Sequence, residues 1–284
     1  MSTIKNLFIT TSLIIFTLII GCKSDNNKSQ SGIQFTDTLD MFNRRAMVGP
    51  QDDGSHVVAT SQIINPAGKT VIFPGRPTDL ALNNSETLLV AKNKSDLIFF
   101  NVANKTIQQT LKLPGGGNTF AGIAWSSNDS LVWTTDTRGF IRNAKIGDDG
   151  LFGWDQEIEL KGKEDKGNPY PGGFVIDESE KRIYVALSRN NSLGIVNTES
   201  MELEKEIPAG RSPFTVIVKG SKAYVTNWGG RVPNESDKTG PSGGSRVVVD
   251  PKTGIASSGT VSVIDLNSQS VVSEIPVGLL PCNM

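Results

Sequence analysis

The sequence predicts an all-β fold in which one four-stranded sheet recurs about four times, and three observations carry this. Strand-like runs recur at Leu88–Asn93 (LLVAKN), Leu131–Asp136 (LVWTTD), Ile183–Ser188 (IYVALS) and Ala223–Trp228 (AYVTNW). Their spacing of roughly 43, 52 and 40 residues lies in the range of β-propeller blades. A second run follows each in the same phase, at Asp96–Val102, Gly139–Ile146, Asn191–Thr198 and Gly259–Leu266. A Gly-x-Pro turn or a relative opens the units, at Gly75-Arg76-Pro77, Pro171-Gly172-Gly173, Gly210-Arg211-Ser212-Pro213 and Gly278-Leu279-Leu280-Pro281. Alternating small and β-branched residues, interrupted by Gly, Asn and Asp, read as strands joined by loops.

Composition agrees with a single repeating unit. A chain of 284 residues can bury a substantial core, and its glycine-rich, helix-poor patterning does not divide into two unlike domains. A net charge of −1 argues against bulk attraction to nucleic acid, so nucleic acid is not an expected partner, although a local basic patch is compatible with it.

Residues 1–22 read as a leader rather than part of the fold. Lys5 supplies a charged start, Leu7–Ile20 an apolar run of about 14 residues, and Ile19-Ile20-Gly21-Cys22 closes it. The run is short for a membrane-spanning helix. Its last four residues resemble a bacterial lipobox, which implies that Cys22 becomes the lipid-modified first residue and that the membrane is a partner. Lys23 after the cysteine favours the outer membrane in that pattern. An ordinary signal peptide with an incidental cysteine, or a short anchor, is the alternative. With Cys22 acylated only Cys282 remains, so no intrachain disulfide is expected. Residues 23–54 open on Ser, Asn, Asp, Lys and Gln and read as a flexible tether, while Phe35–Met47 has enough apolar character to lie against a propeller rim. Residues 55–284 form the propeller.

Taken in order, Val57–Ile64 and Thr70–Phe73, separated by Asn65–Gly68, have the phase of the last two strands of a blade. They are expected to be outer strands that help to close a ring, because closure removes exposed edges. The first full blade spans Pro77–Pro114, with strands at Thr78–Leu82, Leu88–Ala91, Leu97–Val102 and Thr106–Leu113. The second spans Thr119–Leu160, begins with Ala121–Trp125 and carries extra residues at Gly147–Gly153. The third spans Gly173–Pro208 and the fourth Phe214–Pro276. Between its second and third strands the fourth inserts about 30 residues, Gly229–Ser258. Val247-Val248-Val249 within it predicts a structured loop. A fifth unit opens at Pro281. The expectation is therefore the N-terminal part of a longer protein with a ring of about seven blades; a compact ring of four or five blades, or a partner chain that supplies the rest, are the alternatives.

Strand alternation places the loops that enter each first strand, and those between second and third strands, at one end. That end collects Arg76, Asn93, Arg138, Arg189, Arg211, Asn227, Trp228 and Arg231, together with Lys94, Asp136 and Asn190. It is locally cationic and suits an anionic small molecule. Arg76 and Arg211 occupy equivalent places, and planar guanidinium forks match carboxylate or phosphate. Bracing of a neighbouring blade is the structural alternative. Trp228-Gly229-Gly230-Arg231 offers a stacking surface beside a charge, or a Trp that packs a loop. Asn93 and Asn227 read as side chains that bond the following loop. His56 is the single histidine, so no histidine metal cluster, haem-attachment motif or Ser-His-Asp triad is available. No catalytic residue, metal or cofactor is expected.

The order of Gly-Pro turn, strand, polar hairpin, AYVTNW, loop, GTVSVIDL and IPVG resembles the YVTN-repeat (YncE-like) propeller family over roughly residues 55–284. With AYVTNWGGR at 223–231, VVVDPKTGIASSGTVSVIDL at 247–266 and VGLLP at 277–281, the chain is similar to the N-terminal half of two-part envelope lipoproteins. Their second half resembles the alkaline phosphatase or phosphoesterase superfamily. The resemblance implies a non-catalytic propeller that binds a ligand or docks a partner domain, with any phosphoesterase machinery outside this chain. Two further readings stand beside it. One is a lactonase-like propeller in which Asp136, helped by Asp237 or Asp250 of the insert, holds a metal. The other is a binder of single-stranded nucleic acid that uses the basic, Trp-bearing face.

Overall fold

The structure, a computed structural model, describes residues 47–163, 167–179 and 181–282. The leader, Cys22, most of the tether and most of Phe35–Met47 lie outside the described residues. Two compact units divide the chain, residues 1–68 and 69–284.

In the first unit β1 (Gly49–Pro50), β2 (His56–Val57) and β3 (Ile63–Ile64) form a small antiparallel sheet. The expected run Val57–Ile64 is thus not one strand. It folds back at Val58–Ser61, where the Ser61 amide donates to the Val58 carbonyl at 2.8 Å. Thr70–Phe73, in the second unit, is also not a strand. Two of its three apolar side chains, Val71 and Phe73, lie on the sheet face made by Ala91, Ile98 and Phe100, with Phe73 and Phe100 ring centroids 5.5 Å apart, while Ile72 is exposed. Burial of side chains on a face has replaced edge pairing, and Pro74, which lacks an amide donor, follows directly.

The second unit contains four antiparallel four-stranded sheets, each in simple meander order. Blade one comprises β4 (Asp79–Leu82), β5 (Leu88–Lys92), β6 (Asp96–Asn101) and β7 (Thr106–Lys112). Blade two comprises β8 (Asn118–Trp125), β9 (Leu131–Asp136), β10 (Phe140–Ile146) and β11 (Phe152–Glu159). Blade three comprises β12 (Pro171–Asp177), β13 (Arg182–Leu187), β14 (Ser192–Asn197) and β15 (Glu202–Pro208). Blade four begins with β16 (Arg211–Lys219) and β17 (Lys222–Gly230). The insert then folds into a hairpin, β18 (Thr239–Ser242) and β19 (Ser245–Val248), before β20 (Gly259–Asp265) and β21 (Ser270–Val277) complete the sheet. No α-helix occurs among the described residues.

The repeat extends to irregular features. All four blades carry a register shift between the third and outer strands, at Phe99/Phe100, Asn143/Ala144, Ile195/Val196 and Val263/Ile264. A bulge there adds local twist to the outer strand. The first hairpin of each blade places a residue in the left-handed region at the same point, Glu86, Asp129, Lys181 and Gly220, with φ of 56°, 58°, 52° and 58°.

Blades pack face to face, and each junction is an apolar layer. Val90, Leu97 and Phe99 of blade one meet Val132, Ala144 and Phe152 of blade two, with Phe99 and Phe152 stacked at 4.4 Å. Trp133 and Ile141 meet Ile183 and Val185 at the next junction, and Leu193 and Ile195 meet Val216 and Val225 at the last. The expected order in the insert is present: Val247 and Val249 are buried.

Candidate functional site

The beginnings of the first strands of blades two, three and four surround a cavity of about 310 Å³. Phe120, Tyr170, Phe214 and Trp228 supply its aromatic walls, Ser188, Arg189 and Ser212 its polar groups, and Ser242 and Gly243 of the insert one margin. None of its described lining residues is acidic.

Prolines shape this site. Tyr170 precedes Pro171 and Ser212 precedes Pro213, and both adopt left-handed backbone with φ of 52° and 50°. A following proline disfavours the right-handed helical region, and a left-handed non-glycine residue costs on the order of 1–3 kcal/mol. Ser212 is held there by its amide, which donates to Asn191 Oδ1 at 3.0 Å. The Ser245 hydroxyl donates to the same oxygen at 3.0 Å, so the insert hairpin, blade three and the site strand converge on one buried amide.

The polar accounting around the cavity is incomplete. Trp228 stacks on Phe214, with centroids 4.9 Å apart and planes 12° from parallel, and its Nε1 is buried without a partner. Ser212 Oγ is also buried and unpartnered, and so are Arg211 Nε and Asn227 Oδ1. Arg189 lies over the Tyr170 ring at 5.3 Å. Buried polar groups are paired in the great majority of cases; these four orphan atoms belong to the irregular part of the β16–β17 pairing and have almost no accessible surface, so they lie behind the cavity wall.

The structure sorts the sequence candidates. Arg189 and Trp228 line the cavity, and Arg76 adjoins it, its guanidinium 5.3 Å from the centroid of Phe120. Asn93 is buried and braces its loop: Oδ1 accepts from the Arg76 amide at 2.6 Å, and Nδ2 donates to Pro74 O and Asp96 Oδ1. Asn227 is buried as well, and its Nδ2 donates to Thr260 and Ser262 hydroxyls. Arg138 is exposed, 5.8 Å from the Phe140 ring centroid. Arg211 does not line the cavity. Arg231 forms a two-pronged ion pair with Asp237 at 2.6 and 2.7 Å, which holds that carboxyl down at about 2 and ties the insert together.

The acids invoked for a metal-dependent propeller enzyme do not assemble. Asp136 is fully buried and engaged by Arg142 Nε at 2.8 Å and by the amides of Arg138 and Phe140. Asp237 is paired with Arg231, and Asp250 accepts from Lys252 and Thr253 amides in a turn. Among the described residues no group of three His, Cys, Asp or Glu could hold a metal ion.

Sequence reasoning missed Lys92. It is fully buried, and Nζ donates across to blade two: Thr119 Oγ1 at 2.9 Å, Ala121 O at 2.7 Å, Gly122 O at 2.9 Å and Thr135 Oγ1 at 2.9 Å. Burial lowers its pKa to about 7, against the opposing pull of Asp79 and Asp136. The signal was in the repeat. Lys92 occupies the position of Thr135, Leu187 and Asn227, all fully buried, so a lysine there had to find acceptors indoors.

No family model matches the chain, and no curated protein matches it. Among solved structures it is similar to the hydrazine synthase of Kuenenia stuttgartiensis, with a TM-score of 0.53 and 15% identity over 75% of this chain and 53% of that one. The chain thus spans about half the length of that neighbour. A chain of a nidogen/laminin complex gives a TM-score of 0.48 at 14% identity, covering 78% of this chain and 70% of that one. A functionally unknown protein from Desulfotomaculum acetoxidans DSM 771 gives 0.45 at 15%, covering 81% and 80%. Likeness at such identity concerns fold alone. The class is an all-β propeller of four-stranded blades.

Proposed function

We propose that this protein is a non-catalytic propeller of the bacterial cell envelope, lipid-anchored through Cys22, that binds a small anionic ligand in the cavity between blades two, three and four. The observation that carries the binding reading is the cavity itself, walled by Phe120, Tyr170, Phe214 and Trp228, with Arg189 beside Tyr170 and no acidic residue in the described lining. The envelope and lipid assignments rest on the Ile19–Cys22 pattern, and the YncE-like kinship with service to a phosphoesterase-type partner domain rests on the motifs at 223–231 and 247–266. The single histidine and the lack of a nucleophile beside a base in the sequence support a binding role.

The test is a thermal-shift screen of residues 23–284 against phosphate, citrate, benzoate and phenyl phosphate. The expected result is a rise in Tm with at least one anion that Trp228→Ala abolishes; no Trp228-dependent rise with any of them overturns the binding reading. Hydrolysis of p-nitrophenyl phosphate by the chain after metal-free repurification would overturn its non-catalytic part. For the anchor, palmitate labelling of the full chain is expected and is lost in Cys22→Ser.

A further inference from the structure

We infer that two copies of this chain join end to end, the free face of blade four in each against the free face of blade one in the other, so that eight blades close one ring. The inference is independent of what the rim cavity binds.

Strand alternation fixes which side chains lie on each free face. Val90, Leu97 and Phe99 of blade one pack against blade two, so Leu89, Ala91, Ile98 and Phe100 face the other way, and ladder pairing puts Leu80, Leu82 and Ile107 beside them. Val71 and Phe73 lie against the Ala91, Ile98 and Phe100 part of that face. Leu80, Leu82 and Ile107 stay 58, 49 and 42% exposed, whereas Val90, Leu97 and Phe99 on the opposite side are fully buried. In blade four, Ala223, Val225 and Ile264 pack against blade three, which leaves Tyr224, Val261 and Val263 on the free side with Ile217 and Ile275 as ladder neighbours. Those two isoleucines are 42 and 45% exposed. Each free face thus shows apolar groups on both its first and its outer strand.

These faces are the two halves of a junction that the chain already builds three times. At every internal junction the later side of one blade meets the earlier side of the next. Blade four has its later side unused, and blade one its earlier side. Within one copy no apolar layer joins them, since the cluster around Ala91, Ile98 and Phe100 draws only on residues 71–100 among those described. Apolar faces left open in this way mark an interface, and a second copy carries the matching half.

Charge selects the order of the contact. Asp129, in the first hairpin of blade two, accepts from the Asn84 and Ser85 amides of blade one at 2.7 and 2.9 Å, and Glu178 of blade three accepts from the Ser127 amide of blade two at 2.6 Å. The acid of the later blade clasps the hairpin of the earlier one. Glu86 stands in blade one at the left-handed position that Asp129 holds in blade two, and its carboxylate has no partner among the described residues. A second copy presents to it the first hairpin of blade four, where Lys219 and Lys222 flank Gly220 and Ser221. Opposite charges meet in a head-to-tail contact, and like charges in a head-to-head one. Head-to-tail contacts either close or grow into filaments. Two sets of four blades give eight, within the range of closed propellers, and leave neither face open.

Sedimentation and light scattering of residues 23–284 across a dilution series test this. The expected result is a dimer that dissociates on dilution, with no larger species. Leu80→Asp and Ile275→Asp each place a charge at a half-exposed position on one free face, so each variant keeps the circular dichroism of the wild type but is a monomer. Mixed at high concentration the two variants form a heterodimer, because the intact blade four of one still fits the intact blade one of the other. A wild-type monomer at every concentration overturns the inference. A dimer that survives either substitution overturns the surface, and folded variants that do not pair when mixed overturn the head-to-tail order. Growth into open-ended polymers overturns the two-copy ring.

Discussion

Two polar clusters at this end of the propeller show opposite solutions to one problem. Lys92, between blades one and two, is a buried amine with four acceptors around it, two hydroxyls and two carbonyls. Trp228 and Ser212, at the edge of blade four, are buried donors with none. A satisfied cluster in low dielectric locks its elements together, because each group pays heavily if its partner is removed. An unsatisfied one carries that cost within the fold, and these two atoms have almost no surface open to an outside acceptor. The first therefore reads as architecture and the second as a local weakness beside the cavity.

The comparison breaks most sharply at Lys92. Lys92→Met removes every bond that the buried Nζ makes across the junction of blades one and two, while its acceptors keep bonds to the Thr119, Thr134 and Thr135 hydroxyls; a loss on the order of 2 kcal/mol is expected, a Tm lower by roughly 4–8 °C for a unit of this size. A thermal scan checks it, and an unchanged Tm would remove the architectural role. The pH profile is next. The folded pKa of Lys92, about 7, lies below the ordinary 10.5, so between those values the unfolded chain binds a proton that the folded one has released. This group makes stability rise with pH from about 7 to about 10.5 and adds no slope below that window. Urea midpoints across that range show the rise in the wild type and its loss in Lys92→Met.

Smaller effects sharpen the other side. Arg231→Ala removes a half-exposed ion pair, and a Tm change of about 2 °C or less follows. Asp237, with its pKa held at about 2 by Arg231 and the Asn234 amide, adds stability above the ordinary carboxylate value of 3.8 that is lost as pH falls through about 2. The variant flattens that acid limb. Trp228→Phe is the smallest, about 0.5 kcal/mol or less by urea denaturation, because the deleted N–H bonds nothing in the protein. A large loss there would show that the orphan is structural after all.

Particular residues show how far the chain could be read without coordinates. The runs LLVAK, LVWTT, IYVAL and AYVTN take matching second-strand positions in four successive sheets, because strand alternation and Gly-Pro punctuation are local signals. Val247-Val249 announced order inside the insert for the same reason. Val57–Ile64 misled because it folds back at Val58–Ser61 into two-residue strands that leave Ile63 and Ile64 exposed, and Thr70–Phe73 because an apolar run records the need for burial and not whether an edge or a face provides it. At the site, Trp228 and Arg189 were legible as loop residues of one rim. Tyr170, Phe214 and Ser212 were not, because Tyr170 stands at the entry to β12 and the other two at the start of β16, which only blade packing brings together. Asn93, gathered with the rim residues but read as a side chain that bonds its loop, does bond it, whereas Arg231 looked like a ligand group and is occupied by Asp237.

The amino-acid order by itself determined the repeat: its period, its strand phases and the end of the sheets at which polar loops gather, all set by interactions within about forty residues. Tertiary structure decided which of those polar groups meet partners. Hydrogen-bond satisfaction in a buried site depends on the neighbouring blade, and the same strand position holds a saturated Lys92 in one blade and, one residue on, an idle indole in another.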